Sequence, residues 1–138
     1  MKWIQHAIYD VKGTPKPQPR PRAARAGAFL RIYNPGTADS WRTAVYYAQK
    51  KQTHATTLLG PVKLGVTFYL PAPKSHAGQD GLHGGKPDLD NLIKSTMDAL
   101  TQAKAWEDDR QVAVIMASKE YAGPHGPGAI IRIWKLQH

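Results

Sequence analysis

The residues of this 138-residue chain with the clearest potential for chemistry are carboxylates, and seven of its ten acidic residues fall between Asp80 and Asp109. Asp90 and Lys94 are spaced one helical turn apart, and Asp88 stands just before them. A second group, Glu107-Asp108-Asp109, precedes a segment with the pattern of a strand. Because crowded carboxylates repel one another, such a grouping is best explained by a divalent cation that neutralises it.

Carboxylate oxygens are the ligands that Mg²⁺ and Mn²⁺ prefer. A cation held by them also accepts a phosphate oxygen and generates a hydroxide-like nucleophile, while a lysine stabilises additional negative charge. The alternative needs no metal: Asp88 caps a helix, and Asp90 and Lys94 form an ordinary ion pair. From spacing alone, a metal-dependent nuclease and a nucleic-acid-binding module with a capped helix both remain open.

The formal net charge of +9 is typical of a protein that binds a polyanion. The first 51 residues hold ten Lys and Arg but only two acids. Prolines at every second position from Pro15 to Pro21 exclude a helix and favour an extended path to Arg25, on which spaced cations can follow phosphates. A basic linker or a ligand for a proline-binding domain is the alternative. The residues expected to contact nucleic acid are Lys16, Arg20, Arg22, Arg25, Lys74 and Lys86.

Several protein classes are excluded by composition. The chain has no cysteine, so it has no disulfide framework, thiolate nucleophile or cysteine-ligated zinc site. Its apolar stretches are far shorter than the roughly 20 residues that span a bilayer. The first ten residues do not have the pattern of a secretory signal. We therefore expect a cytoplasmic protein with one domain over residues 1–138 and no membrane partner.

Hydrophobic periodicity predicts the elements that must position the carboxylates. Alternating apolar residues predict four strands, at Met1–Val11, Val62–Leu70, Val112–Tyr121 and Ala129–Leu136. Helical spacing predicts helices over Thr37–Lys51 and from Asp88 to about Lys104. This order predicts an α+β fold, a largely antiparallel sheet of about four strands with two main helices packed on one face.

Some local details follow from the same patterns. In the first helix, Arg42, Gln49 and Lys50 are expected to face mostly outward. Asn34–Gly36 is expected to form a turn. The glycine-rich stretch from Lys74 to Pro87 contains His76 and His83, which favours a loop that faces the substrate over a metal site because nothing fixes the geometry of the two histidines.

The stretch KPDLDNLIKSTMDALTQAKAWEDDRQV, residues 86–112, closely resembles the hallmark of RusA-type Holliday junction resolvases. It combines DLDN, a lysine four residues after the second Asp, a DAL segment, and a Trp with paired Asp before a strand. Upstream, PKPQPRPRAAR followed by YNP and a helix is similar to the amino-terminal part of phage-encoded members. The resemblance therefore covers most of the chain, although the Lys74–Gly85 loop departs from the family in length and sequence.

The resemblance implies a bacterial or phage-encoded, Mg²⁺-dependent homodimeric endonuclease of DNA recombination and repair that cuts four-way junctions by paired incisions. Mn²⁺ is the alternative cation. Carried over by motif, the carboxylates that hold the metal would be Asp88, Asp90 and Asp109, and the catalytic lysine would be Lys94. Two alternatives stay open: a non-catalytic protein that binds branched nucleic acid, and a nuclease acting on RNA or other branched structures.

Whether Asp109 reaches Asp88 and Asp90 within one chain depends on where the second helix ends. A helix unbroken from Asp90 to Lys104 rises about 21 Å, and the five residues from Lys104 to Asp109 span at most about 17 Å. Either the helix ends near Leu100 and the site forms within one chain, or Asp109 comes from the partner subunit. The weak apolar periodicity after Leu100 favours the first arrangement.

Overall fold

A computed structural model describes residues 1–18, 22–26, 29–33, 39–52, 56–72 and 81–137. Within these ranges, no helix is long and apolar enough to cross a membrane. The regular elements in chain order are β1 (Lys2–Lys12), β2 (Arg22–Ala26), β3 (Phe29–Tyr33), α1 (Asp39–Lys50), β4 (Val62–Leu70), α2 (Leu89–Gln102), β5 (Val112–Tyr121) and β6 (Gly128–Gln137).

The main sheet has four strands in the order β1-β6-β4-β5. Strand β6 is antiparallel to both β1 and β4, whereas β4 and β5 are parallel. A parallel pair needs a crossover connection, and α2 with its flanking segments supplies it. The predicted α+β architecture, with a mostly antiparallel four-stranded sheet and two helices, is confirmed.

One face of the sheet packs against both helices. Strict alternation in β4 buries every second side chain, from Val62 to Leu70, on that face. The two helices are joined by a hydrogen bond of 3.1 Å that Trp41 Nε1 donates to Thr96 Oγ1. The helices contribute apolar side chains that pack in the same core as the buried β4 residues: Trp41, Val45, Leu92, Ala99 and Leu100. This core fixes the position of α2, which carries DLDN.

Strands β2 and β3 form a separate antiparallel pair in which Arg22 is opposite Tyr33. The backbone of Arg22–Ala26 is extended, as expected up to Arg25, but it forms a paired strand that the sequence analysis did not predict. The physical reason is that proline cannot donate a backbone N–H, and the proline run ends at Pro21, so the backbone from Arg22 onward is able to pair. The expected turn at Asn34–Gly36 and the first residues of the expected first helix lie outside the described residues.

Gln49 on α1 is buried, with 5% of its surface exposed, and the expectation that it faces outward is wrong. Its side-chain oxygen accepts a hydrogen bond from the hydroxyl of Tyr9 on β1. Burial raises the pKa of Tyr9 from its ordinary value of 10.0 to about 12. The contact between α1 and β1 therefore contains a hydrogen-bonded polar pair, whereas periodicity alone predicts that Gln49 faces solvent.

We expect Tyr9→Phe to lower the free energy of unfolding by about 1–3 kcal/mol, because it leaves the Gln49 oxygen buried without a donor. Urea unfolding measures the change, with Tyr47→Phe as the control because Tyr47 is 57% exposed. The raised pKa also makes this stabilisation depend on pH. The contribution of neutral Tyr9 to the free energy of unfolding is fully present below pH 10.0 and is lost as the pH rises towards about 12. Equal unfolding midpoints for the two variants would contradict this role for Tyr9.

Candidate active site

Asp88 occupies the N-cap position of α2, with φ −67° and ψ 137°. Its backbone carbonyl accepts a hydrogen bond of 3.2 Å from the amide of Leu92, but its side chain makes no capping hydrogen bond. The side chain is exposed. Asp88 is therefore at the N-cap, as the capping alternative expects, but the helix uses only its backbone and leaves its carboxylate available to a ligand.

Asp90 and Lys94 lie one turn apart on α2, and both are exposed. Across the described part of the chain, the ion pairs are Lys12–Asp10 at 3.4 Å and Arg42–Asp39 at 2.6 Å. Asp90 and Lys94 thus do not form the ion pair that the metal-free alternative assigns to them. Like Asp88, they present charged groups at the surface of α2.

The paired aspartates after α2 have different surroundings. Asp108 caps a short 3-10 turn over residues 109–111, with its side chain accepting from the amide of Arg110 at 2.9 Å. The Gln111 side chain accepts in return from the backbone N–H of Asp108 at 3.0 Å. This reciprocal capping box gives Asp108 a structural role. Of the two aspartates, Asp109 is therefore the one whose carboxylate has no capping role and remains a candidate metal ligand.

Gln111 also anchors this turn to the loop before β4. Its side-chain nitrogen donates to the backbone carbonyls of Leu58 at 2.9 Å and Gly60 at 3.0 Å. With its side-chain oxygen engaged in the capping box, both ends of the Gln111 amide are used. One side chain therefore links the turn that carries Asp109 to the loop before β4.

Asp109 is held at the carboxyl-terminal end of α2. Its carboxylate accepts a hydrogen bond from the Thr101 hydroxyl, and Thr101 Oγ1 accepts in turn from Trp106 Nε1 at 2.7 Å. Trp106 is fully buried, so this chain of bonds connects Asp109 to the core. A turn with φ 66° at Lys104 reverses the chain after the helix and makes the contact possible.

Asp98 is a second carboxylate at this end of α2. Burial, followed by the negative charge of Asp109, raises the pKa of Asp98, while Arg42 and Lys94 lower it. Asp98 is half-buried and shares the exposed side of the helix with Asp90 and Lys94, to which it is related by four-residue steps. The face of α2 therefore carries acidic residues at both ends and a lysine between them.

The two ends are too far apart to form one site within a chain. From Asp90 to Thr101, where Asp109 is held, α2 rises about 16 Å. In the part of the chain that the structure describes, which includes all three candidate carboxylates, no group of three His, Asp or Glu side chains is placed to hold a metal ion. The helix continues to Gln102 rather than ending near Leu100, and the expected single-chain arrangement of Asp88, Asp90 and Asp109 is not found.

A groove of about 440 Å³ lies beside the start of α2. Its far wall is the proline-rich segment, which α2 holds through two bonds: Ser95 Oγ donates to the Lys16 carbonyl at 2.6 Å, and the Gln18 amide donates to the Asn91 carbonyl at 2.9 Å. Lys16, Lys86 and Asp88 all line this groove. Two lysines expected to contact nucleic acid are thus brought beside a candidate metal ligand.

Comparison with known proteins identifies the family of this chain. The family model described as Endodeoxyribonuclease RusA matches residues 12–134, a range that includes both ends of α2 and the groove. The chain belongs to the RusA family. The protein YqaN of Bacillus subtilis (strain 168), described as uncharacterized, is 30% identical over 83% of this chain and 87% of its own length. A crossover junction endodeoxyribonuclease rusA of Lactococcus phage r1t is 24% identical over 80% of this chain and 84% of its own.

Of the other residues expected to contact nucleic acid, Arg22 and Arg25 have their backbone in β2, which belongs to the separate β2–β3 pair. Arg20, Lys74 and His76 lie outside the described residues. The His83 ring lies 4.9 Å from the ring of Tyr121 and its Nδ1 accepts from the amide of Gly85 at 3.2 Å, so His83 helps to shape its own segment.

Sequence analysis missed several residues that position the RusA-family motif. Gln111 was detectable, because Asp followed three residues later by Gln is a capping-box pattern. Thr101 and Asp98 lie within the helix without a pattern that distinguishes them from solvent-facing residues. Ser95 was undetectable for another reason, since its partner Lys16 is 79 positions away in the chain. Local spacing contains no information on such contacts.

Proposed function

We propose that this protein is a Mg²⁺-dependent endodeoxyribonuclease that acts as a homodimer and resolves four-way DNA junctions by paired, symmetric incisions in recombination and repair. The observation that carries the proposal is the groove where Asp88, whose carboxylate makes no capping bond, lies with Lys16 and Lys86. Metal-assisted phosphodiester hydrolysis needs a carboxylate for the ion and cations for the DNA phosphates in one place. Family membership and the junction endonuclease among the relatives support a DNA junction as the substrate.

The proposed donor set consists of carboxylate oxygens, which suit Mg²⁺ or Mn²⁺. When bound, the ion supplies positive charge at the scissile phosphate and lowers the pKa of the attacking water. One chain does not complete the set: Asp88 and Asp90 stand at the start of α2, and Asp109 is held at its end by Thr101.

A second copy of the chain would complete it. In a twofold pair with antiparallel α2 helices, the start of each helix lies beside the end of the other. Asp88 and Asp90 of one subunit would then join the partner's Asp109, with Lys94 near the middle of the helix pair. Two equivalent sites arise in this way, as paired incisions require. We therefore favour the shared arrangement over the single-chain arrangement that the sequence favoured.

A labelled four-way DNA junction tests the proposal. We expect one incision in each of two opposing strands of the junction with Mg²⁺, and no incision with EDTA. Matched linear duplex and RNA junctions serve as competitors, because metal-assisted hydrolysis does not by itself identify the sugar. Junction binding without cleavage in the presence of any divalent cation would favour a non-catalytic binding protein. Preferential cleavage of the RNA junction would favour a ribonuclease.

We expect Lys94→Ala to lower the single-turnover cleavage rate by about 100-fold, because it removes positive charge that stabilises the transition state. The dissociation constant for the junction should change by less than about threefold, since Lys94 supplies only one of many possible phosphate contacts. Single-turnover cleavage and binding in EDTA separate the two effects, and Lys51→Ala, at an exposed lysine beyond α1, is the charge-matched control. Equal losses of binding and turnover would reassign Lys94 to anchoring the DNA.

A further inference from the structure

Lys119 on β5 holds the backbone that leads into α2. Its ammonium group donates one hydrogen bond of 2.6 Å to the carbonyl of Gly85 and another of 2.8 Å to the carbonyl of Pro87. Pro87 immediately precedes Asp88. An ammonium carries three donors on one nitrogen, so a single lysine satisfies both carbonyls and fixes the distance between them.

The same segment is also attached to β5 through its backbone. Strand β5 is an edge strand of the main sheet. Along it, the amide of His83 donates to the carbonyl of Lys119 at 2.9 Å, and the amide of Tyr121 donates to the carbonyl of Gly81 at 3.0 Å. Residues 81–83 are thereby held by backbone bonds, whereas residues 85–87 are held by the Lys119 side chain.

The contacts of Lys119 indicate that it orients the backbone before α2 rather than neutralising an acidic side chain. Neither ion pair in the described ranges involves Lys119, and both of its hydrogen-bond acceptors are backbone carbonyls. Asp88 has no side-chain bond to the helix, so its direction depends on the backbone on either side of it. The Leu92 amide holds that backbone from the helix, and Lys119 holds it from the sheet.

We propose that Lys119 is a positioning residue for the proposed metal site: by holding residues 85–87, it keeps the Asp88 carboxylate directed into the groove that Lys16 and Lys86 line. The inference rests on the proposed function, because it assigns Lys119 to the same site. Groups that orient metal ligands without touching the metal change metal affinity by about 10–100-fold when they are removed. Lys119 is expected to act within this range.

The test compares Lys119→Met with Lys135→Met in the full-length protein, the control residue being an exposed lysine on β6. Mn²⁺ binding without DNA is followed by electron paramagnetic resonance. We expect Lys119→Met to bind Mn²⁺ about 10–100-fold more weakly and the control to match wild type. Amide hydrogen exchange in a peptide covering residues 84–92 should be faster only in Lys119→Met. Junction cleavage by this variant should return to within about threefold of wild type at saturating Mg²⁺.

Each outcome has a defined meaning. Unchanged Mn²⁺ affinity and unchanged exchange in Lys119→Met, in a wild-type background that binds Mn²⁺ and cuts junctions, would overturn the inference and leave the proposed function standing. A loss of cleavage that excess metal does not restore would also overturn it. A wild-type protein that neither binds Mn²⁺ nor cuts would reject the proposed function itself. If Lys119→Met has no cooperative unfolding transition, Lys119→Leu, which also lacks a donor, is judged by the same limits.

Discussion

We expect Asp90→Asn to reduce junction cleavage by about 1,000-fold or more while junction binding is retained or improved. The substitution removes a proposed metal ligand and a negative charge that faces the DNA phosphates. Asp90 is exposed and takes part in neither ion pair of the described residues, so the change should leave folding intact. A large catalytic effect without a binding defect is therefore characteristic of a metal ligand at this position.

Single-turnover cleavage in Mg²⁺, together with electrophoretic mobility shifts in EDTA, measures the two quantities separately. Asp10→Asn is the matched control, because it makes the same change of charge at an exposed aspartate on β1. The control should cut at nearly the wild-type rate, although it loses the ion pair with Lys12. Wild-type cleavage by Asp90→Asn would remove Asp90 from the site.

The second large effect is expected when two inactive proteins are mixed. Asp88→Asn and Asp109→Asn should each be inactive alone, yet their mixture should nick one strand of the junction. In a shared site, the mixed dimer contains one centre with both substitutions and one centre with neither. After random subunit exchange, half of the dimers are mixed, so about a quarter of the wild-type number of sites is restored. Two independent single-chain sites would restore none.

The control for this experiment is a mixture of Asp88→Asn with Asp90→Asn. Both substitutions then affect carboxylates from the same end of α2, so each centre of the mixed dimer carries one defect, and no nicking is expected. Subunit exchange is verified with two differently tagged chains. Complete inactivity of the Asp88→Asn and Asp109→Asn mixture, once exchange is verified, would contradict the shared site.

The elements of the fold were largely predictable because their signals are local. The alternation in Val62–Leu70 and the helical spacing in Leu89–Gln102 occur within single segments, and both segments have the predicted structure. The β2–β3 pair was not predicted because the extended path expected for the proline-rich segment was continued over the short strand that follows it. The burial of Gln49 was missed because its partner, Tyr9, belongs to another element 40 positions away.

For the site, the sequence by itself determined which residue types are present: the acidic groups before and after α2, the lysine between them, and the cations of the proline-rich segment. The tertiary structure decided how they are used. Asp108 takes part in a capping box, whereas the Asp88 carboxylate makes no capping bond. Lys16 lies across the groove from α2, and Asp109 is held at the far end of the helix. The reason is that spacing predicts which face of an element a residue occupies, whereas chain reversal and long-range hydrogen bonds decide which faces meet.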